Sequence, residues 1–351
     1  MNRWKAERLD EKAMRRAQER WDAVAKPLGS LGQMERMITR IAGIQGTEDV
    51  SLSPRCALVF CGDHGVVREG VAQSDSSVTA RVARSIAEGT ANVNLMAGAA
   101  GADVFAVDAG MAEDIDDPRM ITIKQAHGTE DMTKGPAMSR EQAERAVESG
   151  VVLTGEMKAR GYRMIAVGEM GIGNTTAASA AACALLGLPP EEMTGRGAGL
   201  DDAGLARKVS AIRQALAANR PDGADALDVL SKVGGYELAA MTGAFLGGAV
   251  HRVPVVMDGV ISCVSALAAV RLCPEAGDFL LPSHMSREPV ARAVAQVLGV
   301  QPVLHADMAL GEGTGAVMLF PLLDMALRVY AGSHTFRALG MEAYTPKGGR
   351  G

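Results

Sequence analysis

Val167-Gly168-Glu169-Met170-Gly171-Ile172-Gly173-Asn174-Thr175-Thr176 is the stretch whose reading decides the fold. Behind it, Tyr162 to Val167 reads as a buried strand; ahead of it, the alanine-rich run from Ala177 reads as a helix. Glycines at such a crossing let the backbone come close to a ligand, and N–H groups at a helix start favour an anion. Glu169 would repel a phosphate unless it acted on another part of the same molecule. A second glycine-wrapped glutamate lies in Leu310-Gly311-Glu312-Gly313-Thr314-Gly315. The pair predicts a bound phosphorylated molecule with acid–base chemistry close to its phosphate.

The strand-then-polar theme recurs on both sides of that stretch. Ala57-Leu58-Val59-Phe60-Cys61 ends in Gly62-Asp63, and Val104-Phe105-Ala106-Val107 ends in Asp108-Ala109-Gly110. Pro254-Val255-Val256-Met257 ends in Asp258-Gly259, and Phe279-Leu280-Leu281 ends in Pro282-Ser283-His284. Helical stretches separate them. One runs from about Val78 to Ala97; Ser139 with Gln142 forms a capping box for another, and Asp201 caps the run through Ala218. Apolar strands alternating with helices predict an α/β fold, a mostly parallel sheet with helices on both faces and a site at its carboxyl edge. Before the first strand, Leu9, Ala13, Ala17, Trp21 and Val24, then Met34, Met37, Ile38, Ile41 and Ile44, mark two amphipathic helices that read as an appendage. The last dozen residues read as disordered.

Composition narrows the classes. The 351 residues carry a formal charge of −5, which gives no basic footprint for a nucleic-acid partner. No apolar run in the sequence reads as a membrane span, and the charged start is unlike a signal peptide. The five cysteines form no C-x-x-C pair and sit mostly in apolar runs, as free buried thiols of a reducing cytoplasm do. No P-loop spacing occurs, and no G-x-G-x-x-G follows the first strand, which weakens a dinucleotide reading. The acidic-pair loop of common phosphoribosyltransferases is missing too, since Asp201-Asp202 runs into Ala203-Gly204. The histidines form no H-E-x-x-H; His284 and Glu288 stand four apart without a third ligand nearby, so no metal is expected. Asp63 and His64, being adjacent, point apart in extended chain.

From Lys26 to about Leu327 the chain resembles the nicotinate-nucleotide:dimethylbenzimidazole phosphoribosyltransferase family. Eight strings in order carry the resemblance. They are Lys26-Pro27-Leu28-Gly29-Ser30-Leu31-Gly32, Gly62-Asp63-His64-Gly65-Val66, Gly168 to Thr176, and Leu230-Ser231-Lys232-Val233-Gly234-Gly235, followed by Met241-Thr242-Gly243, Asp258-Gly259, Pro282-Ser283-His284-Met285-Ser286, and Leu310 to Gly315. The resemblance implies that a benzimidazole nitrogen displaces nicotinate from nicotinate mononucleotide, with inversion at the anomeric carbon. The products are α-ribazole 5′-phosphate and nicotinate. It implies a cytoplasmic homodimer acting on small molecules without metal or organic cofactor. It also implies a Rossmann-like sheet over residues 49–324 and a small helical domain from both chain ends, 1–48 with 325–351.

By the same resemblance Glu312 is the catalytic base, and Glu169 a second catalytic glutamate of the pocket that holds the benzimidazole or ribose or acts as a backup base. Gly171, Gly173, Asn174 and Thr175 form the expected phosphate cradle, with Lys208 supplying positive charge; by composition alone Lys208 reads as an exposed helix residue. Ser286 falls near the nucleotide, where a plain helix cap is the competing reading. Ser74 and Val82 fall at the base pocket, which departs from the family pattern: Asp75 stands where many relatives have proline, and Val82 where some have glutamine. Relatives that activate phenols or purines therefore stay open, as does a non-catalytic nucleotide-binding protein. Glu312 argues against the latter, because binding an anion gains nothing from a carboxylate.

Overall fold

The computed structural model describes residues 4–345. The expected disorder of the last dozen residues falls in part on 346–351, outside the described residues. Six strands, β1 (Arg55–Gly62), β2 (Asp103–Gly110), β3 (Ile121–Thr122), β4 (Met164–Met170), β5 (Val255–Met257) and β6 (Leu280–Pro282), form one sheet. All neighbours are parallel, in the order β3-β2-β1-β4-β5-β6. The chain winds outward from β1 to β3, then returns to the other side of β1 to lay down β4. That reversal leaves a crevice at the carboxyl ends of β1 and β4, the usual place for a ligand in such sheets.

The strands read as continuous apolar runs because both faces are covered. Successive side chains point to opposite faces, so Cys56, Leu58 and Phe60 enter one core while Ala57, Val59 and Cys61 enter the other. The first core is shared with the helices Arg140–Ala159, Asn174–Leu186, Tyr236–His251 and Val260–Leu272. The second is shared with Glu11–Ala23, Gln33–Gln45, Ser77–Glu88, Asn92–Ala99 and Thr314–Gly332.

Two expectations need correction. The stretch from Val78 to Ala97 is two helices, because Gly89 takes the left-handed conformation (φ +83°) and ends the first; the second begins at Asn92. The helix Thr314–Gly332 is long and apolar enough to cross a membrane by length and composition. Its apolar character has a local reason. Ala316, Val317, Leu319, Phe320 and Leu323 pack into the second core, and Asp324 on the same helix pairs with Arg55 at 2.6 Å.

The segment after the first helix meets the end of the helix Thr314–Gly332. Val24 bridges to Thr335, Ala25 N donates to His334 O (2.9 Å), and the rings of Trp21 and Tyr330 lie 4.9 Å apart. All five cysteines are free and buried.

Candidate active site

β4 delivers Glu169 and Met170 to the carboxyl edge, paired in register with Phe60 and Cys61 of β1. The chain then turns through Gly171 and Gly173, and Gly173 (φ +94°) starts the helix Asn174–Leu186. Two neighbours hold this loop. Ile172 N donates to the buried Thr79 hydroxyl (3.1 Å), and Asn174 Nδ2 donates to Glu169 Oε2. The helix Asp202–Asn219 brings Lys208 in from behind, fully buried, with Nζ donating to Thr175 Oγ1 (2.8 Å) and Gly195 O (3.2 Å). Lys208 is therefore no exposed helix residue. Burial pulls its ammonium down to about 8, against the opposing pull of the Glu288 charge.

Glu312 arrives on a strained turn. Gly311 (φ +83°), Glu312 (φ +60°) and Gly313 (φ +87°) are left-handed in succession, and a non-glycine there costs roughly 1–3 kcal/mol. Such strain persists only where surroundings fix it, and here they do. The carboxylate accepts from Val93 N (3.1 Å) and Asn92 Nδ2 (3.3 Å) at the start of the helix Asn92–Ala99, an end that favours negative charge. Glu312 N donates to Glu169 O (3.3 Å). Gly168 is what allows the approach, since a Cβ there would lie 2.4 Å from the Glu312 backbone carbon. Asp258, past β5, accepts from Gly313 N (3.2 Å) and Ala316 N (3.0 Å), so its charge anchors the turn and the helix that follows.

The two glutamates sit in different surroundings. Glu169 is pushed up to about 8, first by loss of solvent and then by the charges of Asp258 and Glu237, with the Asn174 hydrogen bond pulling weakly the other way.

These residues open on a cavity of about 310 Å³, lined by Ser74, Glu169, Gly171, Gly173, Asn174, Thr175, Ser286 and Glu312 among the expected site residues. Ser74 is exposed at its rim; Ser286 is buried, with its hydroxyl 3.4 Å from Glu288 N at the start of the next helix. Lys208 stands behind Thr175. Val82 does not line the cavity: it lies one turn beyond Thr79 on the helix Ser77–Glu88, partly buried against the second core. His284 and Glu288 both border this cavity, His284 turning toward Asp258 (3.9 Å) and Glu288 accepting from Gly197 N (3.2 Å). Sequence reasoning missed Thr79, Asn92 and the role of Glu288. Thr79 and Asn92 carry no local signal, and their service depends on which helix faces the loop.

A family model described as Phosphoribosyltransferase (DBI_PRT) matches residues 6–340. The nicotinate-nucleotide–dimethylbenzimidazole phosphoribosyltransferase of Ruminiclostridium cellulolyticum is 42% identical over 338 residues, 96% of each chain. Its namesake in Geobacter metallireducens is 44% identical over 335 residues, 95% of each chain. The crystal structure of CobT from Thermus thermophilus superposes with a TM-score of 0.89 at 40% identity, covering 94% of this chain and 99% of that one.

Proposed function

The chain belongs to the nicotinate-nucleotide–dimethylbenzimidazole phosphoribosyltransferase family, and we propose that Glu312 is the base of its reaction. The enzyme moves the 5-phosphoribosyl group of nicotinate mononucleotide to 5,6-dimethylbenzimidazole for cobalamin synthesis. One observation carries the assignment of Glu312. Its carboxylate is clasped by a helix start, on a strained turn, at the cavity that also receives the loop Gly171 to Thr175.

The chemistry fits that placement. One ring nitrogen of the benzimidazole bonds to C1′ while the C1′–pyridinium bond breaks, and its electron pair returns to the nicotinate nitrogen. The leaving group needs no proton. The new benzimidazolium must lose one from its other nitrogen, and Glu312 takes it. Two hydrogen bonds use about half of a carboxylate's roughly four acceptor sites, which leaves lone pairs for that proton. Negative charge beside the cationic sugar of the transition state adds stabilisation. Glu169, whose burial favours the protonated form, holds the ribose or the base by a hydrogen bond or serves as a backup base.

Gly171, Gly173, Asn174 and Thr175 cradle the 5′-phosphate with the helix start and the Thr175 N–H and hydroxyl, and Lys208 supports them through Thr175. Ser286 contacts the nucleotide from the opposite wall. Ser74 at the rim meets the base, whereas Val82, outside the cavity, takes no part in holding it. Reading residues 1–48 with 325–351 as a helical domain beside 49–324 is supported by the pairing of Val24 with Thr335, although the helix Thr314–Gly332 runs across that boundary. The enzyme works as a homodimer in the cytoplasm. Exposed Met318 and Met325 on one helix and Leu95 on its neighbour support an apolar interface, and five free thiols support a reducing compartment.

Glu312→Gln tests the assignment. Nicotinate mononucleotide should bind nearly as well by calorimetry, while turnover falls about 10²–10⁴-fold, the range for a positioned base. Near-normal nicotinate release by the variant would remove Glu312 from the mechanism.

A further inference from the structure

Glu288 sits where an incoming phosphate would want to be. Its Oε1 accepts from Gly197 N (3.2 Å), and its Oε2 crowds Gly195, where a Cβ would lie 1.9 Å away. The same two glycines border the Lys208–Thr175 pair. Lys208 Nζ donates to Gly195 O (3.2 Å), and a Cβ on Gly197 would lie 2.9 Å from Thr175 Oγ1 and 3.4 Å from Lys208 Nζ. A phosphate supported by Lys208 and Thr175 therefore meets a carboxylate of like charge already bonded to the neighbouring loop. At such separations in a partly buried site the repulsion is substantial.

The side chain also has somewhere else to go. Glu288 lines a second cavity of about 370 Å³ that adjoins the first, walled by Arg287, Arg292, His305 and Asp307. Arg287 and Arg292 are cations. Glu288 begins the helix Pro289–Leu298, so its side chain can turn from one cavity to the other without unwinding a helix.

We propose that Glu288 is an internal competitor for the donor phosphate: its carboxylate occupies Gly197 N, yields to the phosphate by turning toward Arg287 and Arg292, and returns as the phosphorylated product leaves. The role sets donor affinity and helps product release, and it rests on the phosphate reading of Lys208 and Thr175.

Two probes test it, inorganic phosphate and nicotinate mononucleotide, titrated into the full chain with nicotinate riboside as the donor lacking phosphate. Glu288→Gln keeps an acceptor for Gly197 N but removes the charge. It should bind both phosphate probes about 10-fold or more tightly than wild type, the lower end for a charge-assisted hydrogen bond, and bind the riboside equally. KM for nicotinate mononucleotide should fall while kcat does not rise. Arg287→Ala with Arg292→Ala, both exposed positions, leaves Glu288 in place but removes its alternative partners, so phosphate binding should weaken. Unchanged or weaker phosphate binding in Glu288→Gln would overturn the proposal and make Glu288 a loop support. Unchanged binding in the arginine double variant would also count against it. Lys208→Ala separates the two levels: if it leaves phosphate affinity intact, the phosphate reading itself falls, and the competitor with it.

Discussion

At Lys208 burial and charge pull against each other. A buried ammonium is costly unless something uses it, and its partners Thr175 and Gly195 are both uncharged. Lys208→Ala should weaken nicotinate mononucleotide binding roughly 10- to 150-fold, the worth of a charged hydrogen bond, and leave free nicotinate unaffected. Equal loss for both ligands would make it structural. Because its ammonium is pulled down to about 8, donor affinity should also decline as pH rises through that value, and the decline should vanish in the alanine variant. Glu169 gives the companion test on stability. Its folded value is raised from 4.5 to about 8, so the folded state holds a proton that the unfolded chain has released. Stability from this group is complete below about 4.5 and is lost as pH climbs to 8. Thermal unfolding across that window should show wild type losing more stability than Glu169→Gln; parallel curves would mean that Glu169 titrates normally. Both glutamates were legible because glycines wrap them. The burial of Lys208 was not, since it depends on which face of its helix meets the helix Asn174–Leu186.

Helices and turns carry the geometry that single residues exploit. The clasp on Glu312 exists because Gly89 splits what reads as one helix into two, and the second presents Val93 N to the carboxylate. Apolar periodicity continues across Gly89, so the sequence pattern cannot show the break. Five strands were legible as apolar runs of strand length. β3, only Ile121–Thr122, was not, because two residues leave no pattern and their pairing with Val107 and Asp108 comes from tertiary contact. Gly168 joins β4 to the Glu312 turn. A methyl group there meets backbone, not a flexible side chain, so Gly168→Ala should displace the turn and reduce kcat far more than donor binding. Turnover within about twofold of wild type would contradict the close approach as a catalytic requirement. Val82→Gln, at a position outside the cavity, should leave both the preference among benzimidazoles and the donor KM almost unchanged. A reordered ranking would place Val82 at the base end.

For the molecule as a whole, the parallel sheet and its carboxyl-edge site followed from alternating strands and helices, while the order β3-β2-β1-β4-β5-β6 required the structure. Strand order is a matter of long-range pairing, to which apolar runs of similar composition are blind. Sedimentation should show a dimer, and Met318→Glu with Met325→Glu should shift it toward monomer; a concentration-independent wild-type monomer would refute the interface. This chain alone should transfer phosphoribosyl from nicotinate mononucleotide to 5,6-dimethylbenzimidazole. The direct measurement is nicotinate release by the purified chain, with and without that base, alongside chromatography of the nucleotide product. The account predicts base-dependent release matched mole for mole by α-ribazole 5′-phosphate. A chain that binds the donor yet releases no nicotinate with any benzimidazole would contradict it.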